Sequence, residues 1–459
     1  MDWKVSLSAV AALLLLSGAA RAEGVDAYKL DPSFIKDKHP IHVKDPSNPT
    51  LAGRHAANAA VLADGMKNAA NNHGGIPGVD SIVNFTGSFN TPGLDPTGTV
   101  VEDKWFYSMV GNFPNRDGDG VTHIGAPLVP VTVELLDADG DQAFDPASGA
   151  RLILGPHAHV RDVLQSPVFE DYQFTSSRKE TQFTDAVARA TFFHSAGEDW
   201  HTLLDTWVAD GLTLKVPMGA YQYALNNDGS CCAFMLLDYN TFNALLFPPT
   251  FPVDHSTLMG KLELNGVATT KRITTLLFQD IYLYIGTVAN CCVLGFHGPD
   301  EEPGTAHNGN RLRLYMMNYA SWISPGLFGT PELGLEDITA LSHEMAETFN
   351  DPFVVFDGVH NLTPWWLSGS QCQDDLEVGD VIEGLPTDVT FPMAGRNGFL
   401  YHPQNVALLQ WFAFQSHSTA LGGAYSYPDP GSLPALSPQI QPVFDSSGNL
   451  IACNPTTLP

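Results

Sequence analysis

The stretch that most constrains the fold of this chain is residues 342–352, which read Ser-His-Glu-Met-Ala-Glu-Thr-Phe-Asn-Asp-Pro. In an α-helix, residues four positions apart lie one above the other on the same face. His343 and Glu347 have this spacing, so an imidazole and a carboxylate can bind one metal ion together. Glu344 lies beside them as an acceptor for a proton from water. The stretch therefore predicts a helix that carries a metal-binding face.

The same stretch predicts how the helix packs and where it ends. On a helical wheel, the face opposite the acidic residues holds four apolar side chains: Ile338, Leu341, Met345 and Phe349. We expect the helix to begin near Gly334 and to end by Asn350, because Pro352 disfavours helical geometry at the residue before it. Two interpretations of the polar face stay open. It is either a metal site, which would relieve the repulsion between its carboxylates, or the solvated acidic face of a surface helix.

The motif His343-Glu344-x-x-Glu347 differs by one residue from the His-Glu-x-x-His helix of zinc peptidases, so the chain resembles zincin-like metallopeptidases. With Asp351-Pro352 and the Glu-Val-Gly-Asp of residues 377–380, it is also similar to a diffuse group of secreted proteins. That group includes the plant exordium-like (phosphate-induced) proteins and bacterial proteins with a His-Glu-x-x-Glu helix. Both resemblances imply a zincin-like domain.

The resemblance to zincins implies further metal ligands and a cofactor. A third ligand would come from an acidic residue after the helix, with Glu377 as the first choice, Asp380 as the second and Asp351 as the third. The implied cofactor is Zn²⁺. Glu347 stands where zincins have a second histidine, and this change favours weaker Zn²⁺ binding or a harder ion such as Mn²⁺ or Ca²⁺.

The resemblance also implies a reaction. Glu344 would be the general base toward a water molecule activated by the metal, and the substrate would be a peptide or protein. Tyr401 or His402 would stabilise the oxyanion of the tetrahedral intermediate.

The pattern of apolar residues predicts an α+β fold: a zincin-like domain with the motif helix packed on a mixed sheet, plus a β-rich N-terminal region. A strand candidate at 311–323, rich in Leu, Tyr and Met, directly precedes the motif helix. The expected divisions of the chain are a signal peptide, a β-rich region with helices, the zincin-like domain and a Pro-rich tail, at residues 1–22, 23–210, 211–425 and 426–459.

The start of the chain and its charge indicate a secreted, extracellular or periplasmic protein. Lys4, an apolar stretch at 10–16 and Ala20-Arg21-Ala22 have the order of a secretory signal with its cleavage site. The formal net charge of −28 argues against nucleic acid and anionic membrane surfaces as partners, because both need clustered Lys and Arg. The oligomeric state is left open.

The six cysteines fit an oxidising compartment. Two adjacent pairs, Cys231-Cys232 and Cys291-Cys292, are accompanied by Cys372 and Cys453. Because neighbouring cysteines seldom bond to each other, we expect disulfides between the pairs or to the two single cysteines.

Two acidic stretches, 115–120 and 137–141, partly resemble calcium loops. Both lack the full ligand pattern and favour ordinary turns, with a structural Ca²⁺ as the alternative. The sequence thus leaves two hypotheses for function. One is a secreted metal-dependent hydrolase of the peptidase type. The other is a non-catalytic extracellular structural or surface-binding protein with a degenerate zincin domain.

Overall fold

A computed structural model of the chain describes most of its residues, in these ranges: 24–43, 52–94, 100–114, 120–174, 180–249, 254–328, 334–354, 376–418, 424–436, 440–444 and 450–455. The fold is α+β, as the sequence predicts. The signal-peptide prediction, the stretch 115–119, Cys372 and the side chain of Cys453 lie outside the described part.

The α-helices in the described ranges are short apart from the first and the motif helix. In chain order, α1 to α8 span Ala52–Ala69, Val160–Leu164, Phe183–Thr191, Tyr239–Leu246, Leu258–Leu264, Thr339–Asn350, Asp380–Glu383 and Leu409–Phe412. The strands β1 to β20 span Val79–Asp80, Asn84–Leu94, Val100–Val110, Val121–Leu135, Ile153–Leu154, His201–Val208, Leu212–Val216, Tyr221–Leu225, Cys231–Asp238, Ile273–Gln279, Ile281–Tyr284, Cys291–Val293, Gly295–Glu302, Leu312–Trp322, Met393–Ala394, Leu400–Tyr401, Val406–Ala407, Ser426–Tyr427, Ile440–Phe444 and Leu450–Pro455.

A largely parallel sheet forms the centre of the fold. Its order is β1-β14-β10-β4-β5, and β6 and β7 also pair with β4. The pairs β1–β14, β10–β14, β4–β10, β4–β6 and β4–β7 are parallel, while β13 runs antiparallel along β14. Because β4 and β10 pair directly, this sheet crosses the expected division at residue 210.

Strand β14 is buried on both faces over most of its length, which explains its largely apolar sequence. On one face, Met316 and Ala320 share a core with Met345 of the motif helix α6. On the other face, Met317 and Tyr319 share a second core that includes side chains of α4 and α5. The sheet is therefore a middle layer, and the motif helix packs on one side of it, as expected from its apolar stripe.

The motif helix ends at Asn350, as predicted, but it begins at Thr339 rather than near Gly334. Asp337 lies just before it with a positive φ of 44°. Its side chain accepts hydrogen bonds from the backbone N–H groups of Ile338 and His402. The left-handed backbone geometry at Asp337 interrupts the chain before Thr339 and delays the start of the helix. The prediction of a start near Gly334 did not take this geometry into account.

A second sheet has the order β12-β11-β9-β8 and carries both cysteine pairs. Each pair forms a disulfide between its own two neighbours, Cys231–Cys232 and Cys291–Cys292. The expectation that neighbours would not bond to each other is therefore wrong for both pairs. These two bonds cross-link no distant segments.

The N-terminal arm and the Pro-rich tail both contain ordered structure. The N-terminal arm (residues 24–43) buries Ile35 completely, and the backbone N–H of Leu30 donates to the carbonyl of Tyr223 at 2.7 Å. The Pro-rich tail contains an antiparallel hairpin of β19 and β20. Among the described residues, no helix combines the length and apolarity needed to cross a lipid bilayer.

Candidate metal centre

The polar face of the motif helix is buried. His343 and Glu344 are each 5% exposed, and Glu347 is 1% exposed. The alternative of a solvated acidic face on a surface helix is therefore wrong. The wheel separated an apolar from a polar face correctly, but it could not show that other segments cover the polar one.

The buried polar groups surround one small cavity. Its lining comes from the motif helix, strand β13, residue Val354, the N-terminal arm, and the segment from Glu377 to the start of α7. The lining residues are His42, Val43, Gly295, Phe296, His297, His343, Glu344, Glu347, Val354, Glu377 and Asp380. The cavity measures about 20 Å³, which is room for a single water molecule or ion.

His343 is held so that one defined ring nitrogen faces this cavity. Gln404 donates from Nε2 to the carbonyl of Gly379 at 2.8 Å, which fixes the orientation of its amide. Its Oε1 therefore accepts from Nδ1–H of His343, at 3.1 Å. The proton on Nδ1 leaves Nε2 to point at the acidic residues, and an amide partner of this kind is what orients a metal-binding histidine.

Glu347 offers one carboxylate oxygen to the same place. Its Oε1 accepts from the backbone N–H groups of Gly379 and Asp380, at 2.9 and 3.2 Å. Its Oε2 lies 2.9 Å from His343 Nε2. Gly379 permits this close packing, because a Cβ there would lie 2.6 Å from His343 Nδ1.

Asp380 and Glu377 both reach the cluster. Asp380 Oδ1 lies 3.4 Å from His343 Nε2, close to the roughly 3.4 Å that separates two donors bound tetrahedrally at about 2.1 Å. Glu347, Glu377 and Asp380 each place a donor atom within 4.8 Å of the other two. The order expected from the sequence was Glu377 before Asp380, whereas the shorter approach to His343 favours Asp380.

Glu344 faces a second histidine, His297 on β13. His297 Nε2 donates to the carbonyl of Asp351 at 3.1 Å, and Nδ1 lies 3.3 Å from Glu344 Oε2 and 3.7 Å from Glu347 Oε2. Gly295 lets the two elements approach, because a Cβ there would lie 2.6 Å from Glu344 Oε1. Glu344 is thus held in place by a neighbour that the sequence did not identify.

Burial and neighbouring charges shift the pKa values of the acidic residues and of His343 in the site. Burial, together with the charge of Glu347, raises the pKa of Glu344, and burial with the charges of Glu347 and Asp380 raises the pKa of Glu377 well above its usual value. Burial lowers the pKa of His343, but the charges of Glu347 and Glu344 outweigh burial and raise it well above its usual value. Such shifts indicate a site with an excess of negative charge, which a bound cation would relieve.

The N-terminal arm contributes His42, which the sequence did not single out. Its Nδ1 lies 2.5 Å from Asp380 Oδ1, and its Nε2 lies 3.1 Å from Glu383 Oε2. Burial lowers the pKa of His42, but the charges of Asp380 and Glu383 outweigh it and raise the pKa to about 9. An imidazole between Ile41 and Val43 was the available signal, but its partner lies more than 300 residues away in the chain.

Tyr401 and His402 do not line the cavity. The hydroxyl of Tyr401 donates to the carbonyl of Asp162 and accepts from Asn397. His402 Nδ1 lies 2.7 Å from Asp337 Oδ2, at the start of the motif helix. Their expected place near the oxyanion does not fit these contacts, because both polar groups are engaged elsewhere.

Two other acidic candidates have structural contacts. Asp351, the third choice as a ligand, accepts a hydrogen bond from the N–H of Leu376 through Oδ2, at 3.0 Å. Asp137 Oδ1 accepts from the N–H groups of Asp139 and Asp141, each at 3.0 Å. The stretch 137–141 therefore forms a side-chain-stabilised turn, in keeping with the interpretation favoured from sequence.

The residues present suit one divalent cation, since imidazole nitrogens and carboxylate oxygens converge on a buried space of ionic size. Comparisons with protein-family models, with curated proteins and with solved structures return no match.

Proposed function

We propose that this protein is a secreted metal-dependent hydrolase that acts on peptide bonds, with Glu344 as the general base. One observation carries the proposal: a buried carboxylate that is fixed in place lies beside a set of metal-type donors on the same helix. Glu344 Oε1 is 3.9 Å from His343 Nε2, so base and donor adjoin the same small space. The two disulfides fit an oxidising compartment, which supports secretion.

Three side chains would hold the ion: His343 through Nε2, Glu347 through Oε2 and Asp380 through Oδ1. Glu377 adjoins this set and is the remaining carboxylate ligand candidate. The ion, Zn²⁺ in the first instance, would lower the pKa of a water molecule and polarise the scissile carbonyl. A Ca²⁺ or Mn²⁺ ion would suit the carboxylates, but the imidazole nitrogens favour Zn²⁺.

Glu344 accepts a proton from the attacking water and passes it to the leaving amine. Its raised pKa brings it closer to the value a base needs near neutral pH, and His297 holds its orientation. Because the anion of Glu344 is desolvated, its proton affinity is greater than that of an exposed glutamate. No oxyanion donor is assigned to Tyr401 or His402.

The substitution Glu344→Gln tests this proposal. It keeps the shape of the side chain and removes its basicity, so we expect turnover of a peptide library to fall by about 10²–10⁴-fold. Zinc content, measured by elemental analysis, should stay at one ion per chain. Glu198→Gln, at an exposed position, is the matched control and should leave both measurements unchanged. Normal peptide cleavage by Glu344→Gln would remove Glu344 from the role of base.

A second candidate function is favoured by the closure of the site. Structural metal sites are closed by protein ligands, whereas catalytic sites keep an open position, and the cavity here measures only about 20 Å³. In this alternative the ion stabilises a non-catalytic extracellular protein. It predicts that zinc-loaded wild-type protein cleaves no member of the peptide library, while chelation of the zinc lowers its melting temperature.

A further inference from the structure

The N-terminal arm is fixed to the body of the protein at several points before it reaches the metal centre. Lys29 Nζ lies 2.9 Å from the buried carboxylate of Asp145, and Lys38 Nζ donates to the carbonyl of Ala289 at 2.9 Å. The N–H of Ile41 donates to the carbonyl of Cys292, also at 2.9 Å. These contacts place the residue that follows Ile41 directly over the acidic cluster.

That residue, His42, has the surroundings of a metal ligand. Its ring lies parallel to that of His343, with an interplanar angle of 9° and 6.2 Å between the ring centroids. His42, His343 and Asp380 each offer a donor atom within 4.8 Å of the other two. Glu383 lies against the far ring nitrogen, Nε2. A carboxylate in this position fixes the tautomer of a metal-bound histidine, and it leaves Nδ1 as the donor.

We propose that His42 is a fourth protein ligand of the ion, so that zinc binding and docking of residues 38–43 are one linked event. This inference rests on the metal centre proposed above and adds a donor from a distant part of the chain. With His343, Glu347 and Asp380, His42 brings the number of candidate protein donors to four, the number found in closed zinc sites. Its Nδ1 lies 2.5 Å from Asp380 Oδ1, and the ion would take the place of this contact. For the ion to act on a water molecule or a substrate, it would need a fifth position or the departure of His42.

Linkage gives the proposal a directly measurable consequence. If the ion binds His42 only when the arm is docked, zinc must stabilise the docked arm by the same factor by which docking strengthens zinc binding. The arm carries Lys36 and Lys38, at which trypsin cuts once the segment separates from the body. Protection of these two sites therefore reports on docking without any reference to catalysis.

The experiment uses the full chain with His42→Ala, and His39→Ala as a matched control on the same arm, where the side chain is exposed. Zinc affinity is measured by competition with a chromophoric chelator. Trypsin cleavage after Lys36 and Lys38 is followed by mass spectrometry, with and without added zinc. A second variant, His42→Gln, guards against a folding defect, and circular dichroism checks that each variant is folded.

We expect His42→Ala and His42→Gln to bind zinc at least about tenfold more weakly, since even outer-shell partners of a metal ligand contribute that much. In wild type and His39→Ala, zinc should slow cleavage of the arm, and in the His42 variants it should not. Unchanged zinc affinity in folded His42 variants, or protection of their arm by zinc, overturns the proposal. Both readouts are independent of peptidase activity, so they separate failure of the His42 assignment from failure of Glu344 as a base.

Discussion

At the scale of single residues, the site depends on side chains that fix the donors as much as on the donors themselves. Gln404 sets the tautomer of His343, two backbone N–H groups hold Glu347, and His297 holds Glu344. Each of these partners is buried. Their positions are therefore determined by packing, which is the condition for a preorganised site.

Gln404→Ala should weaken zinc binding without removing a ligand. The substitution frees His343 Nδ1 from its acceptor and leaves the Gly379 carbonyl without the amide donor. Loss of such a partner lowers metal affinity about 10–100-fold, and the measurement is zinc competition with a chelator. Gln415→Ala, at an exposed position a short distance along the chain, is the control. Equal zinc affinities in the two variants would contradict the role assigned to Gln404.

Local sequence patterns predicted part of this site and missed the rest for a physical reason. The spacing of His343 and Glu347 and the end of the helix before Pro352 follow from local rules, whereas Glu377 and Asp380 were implied by the resemblance to zincins. His42 and His297 join the site through contacts across long stretches of chain. Local periodicity carries no information about such contacts, so neither histidine could be chosen from the sequence.

At the scale of secondary-structure elements, the sequence of a helix predicts which residues share a face, but it does not predict which other segments bury that face. The sequence predicted the apolar stripe of the motif helix and the strand that precedes it. Burial of the acidic face depends on β13, the segment that leads from Glu377 into α7, and the N-terminal arm, and none of these is encoded within the helix. A helical wheel therefore predicts which face of a helix is buried only when the segments packed around the helix are known.

The contact between α5 and β13 gives a pH-dependent prediction away from the metal centre. Burial and the charges of Asp300 and Glu302 raise the pKa of Glu263 to about 11. The pKa of an unfolded glutamate is about 4.3. Between that pH and the folded pKa, the folded chain keeps a proton that the unfolded chain loses. Stability from this group is full below about pH 4.3 and falls as the pH rises toward the folded pKa.

Glu263→Gln should remove this loss, because the amide is neutral at every pH. We expect the variant to have a higher free energy of unfolding than wild type at pH 8, by roughly 1–3 kcal/mol, and a smaller advantage at pH 5. Urea denaturation at the two pH values measures the difference. A benefit of equal size at both pH values would argue against titration of Glu263 as its cause.

At the scale of the whole molecule, the chain is held together by its sheets rather than by its described disulfides. Strands from residue 79 to residue 322 share the central sheet, so the first and second halves of the chain are joined in one sheet. Cys231–Cys232 and Cys291–Cys292 each join adjacent residues. Bonds of this kind restrict the unfolded chain only locally.

Removing one of these disulfides should therefore cost little global stability. A 15-residue loop closed by a disulfide contributes about 3 kcal/mol through unfolded-chain entropy, and shorter loops contribute less. The double variant Cys231→Ala/Cys232→Ala should lose clearly less than that in urea denaturation. A loss of about 3 kcal/mol or more would mean that the pair stabilises the native sheet itself, through packing contacts that the chain-entropy value does not include.

The wide separation of the proposed metal donors along the chain has a consequence for the order in which the protein is synthesised, folded and loaded with metal. The proposed ligands run from His42 to Asp380, and the amide that orients His343 comes later still, at Gln404. A growing or truncated polypeptide that stops before these positions has only part of the proposed ligand set. If the proposed ligands bind an ion, they bind it among the last steps of maturation, and the metal acquired is the one available where folding is completed rather than where synthesis begins.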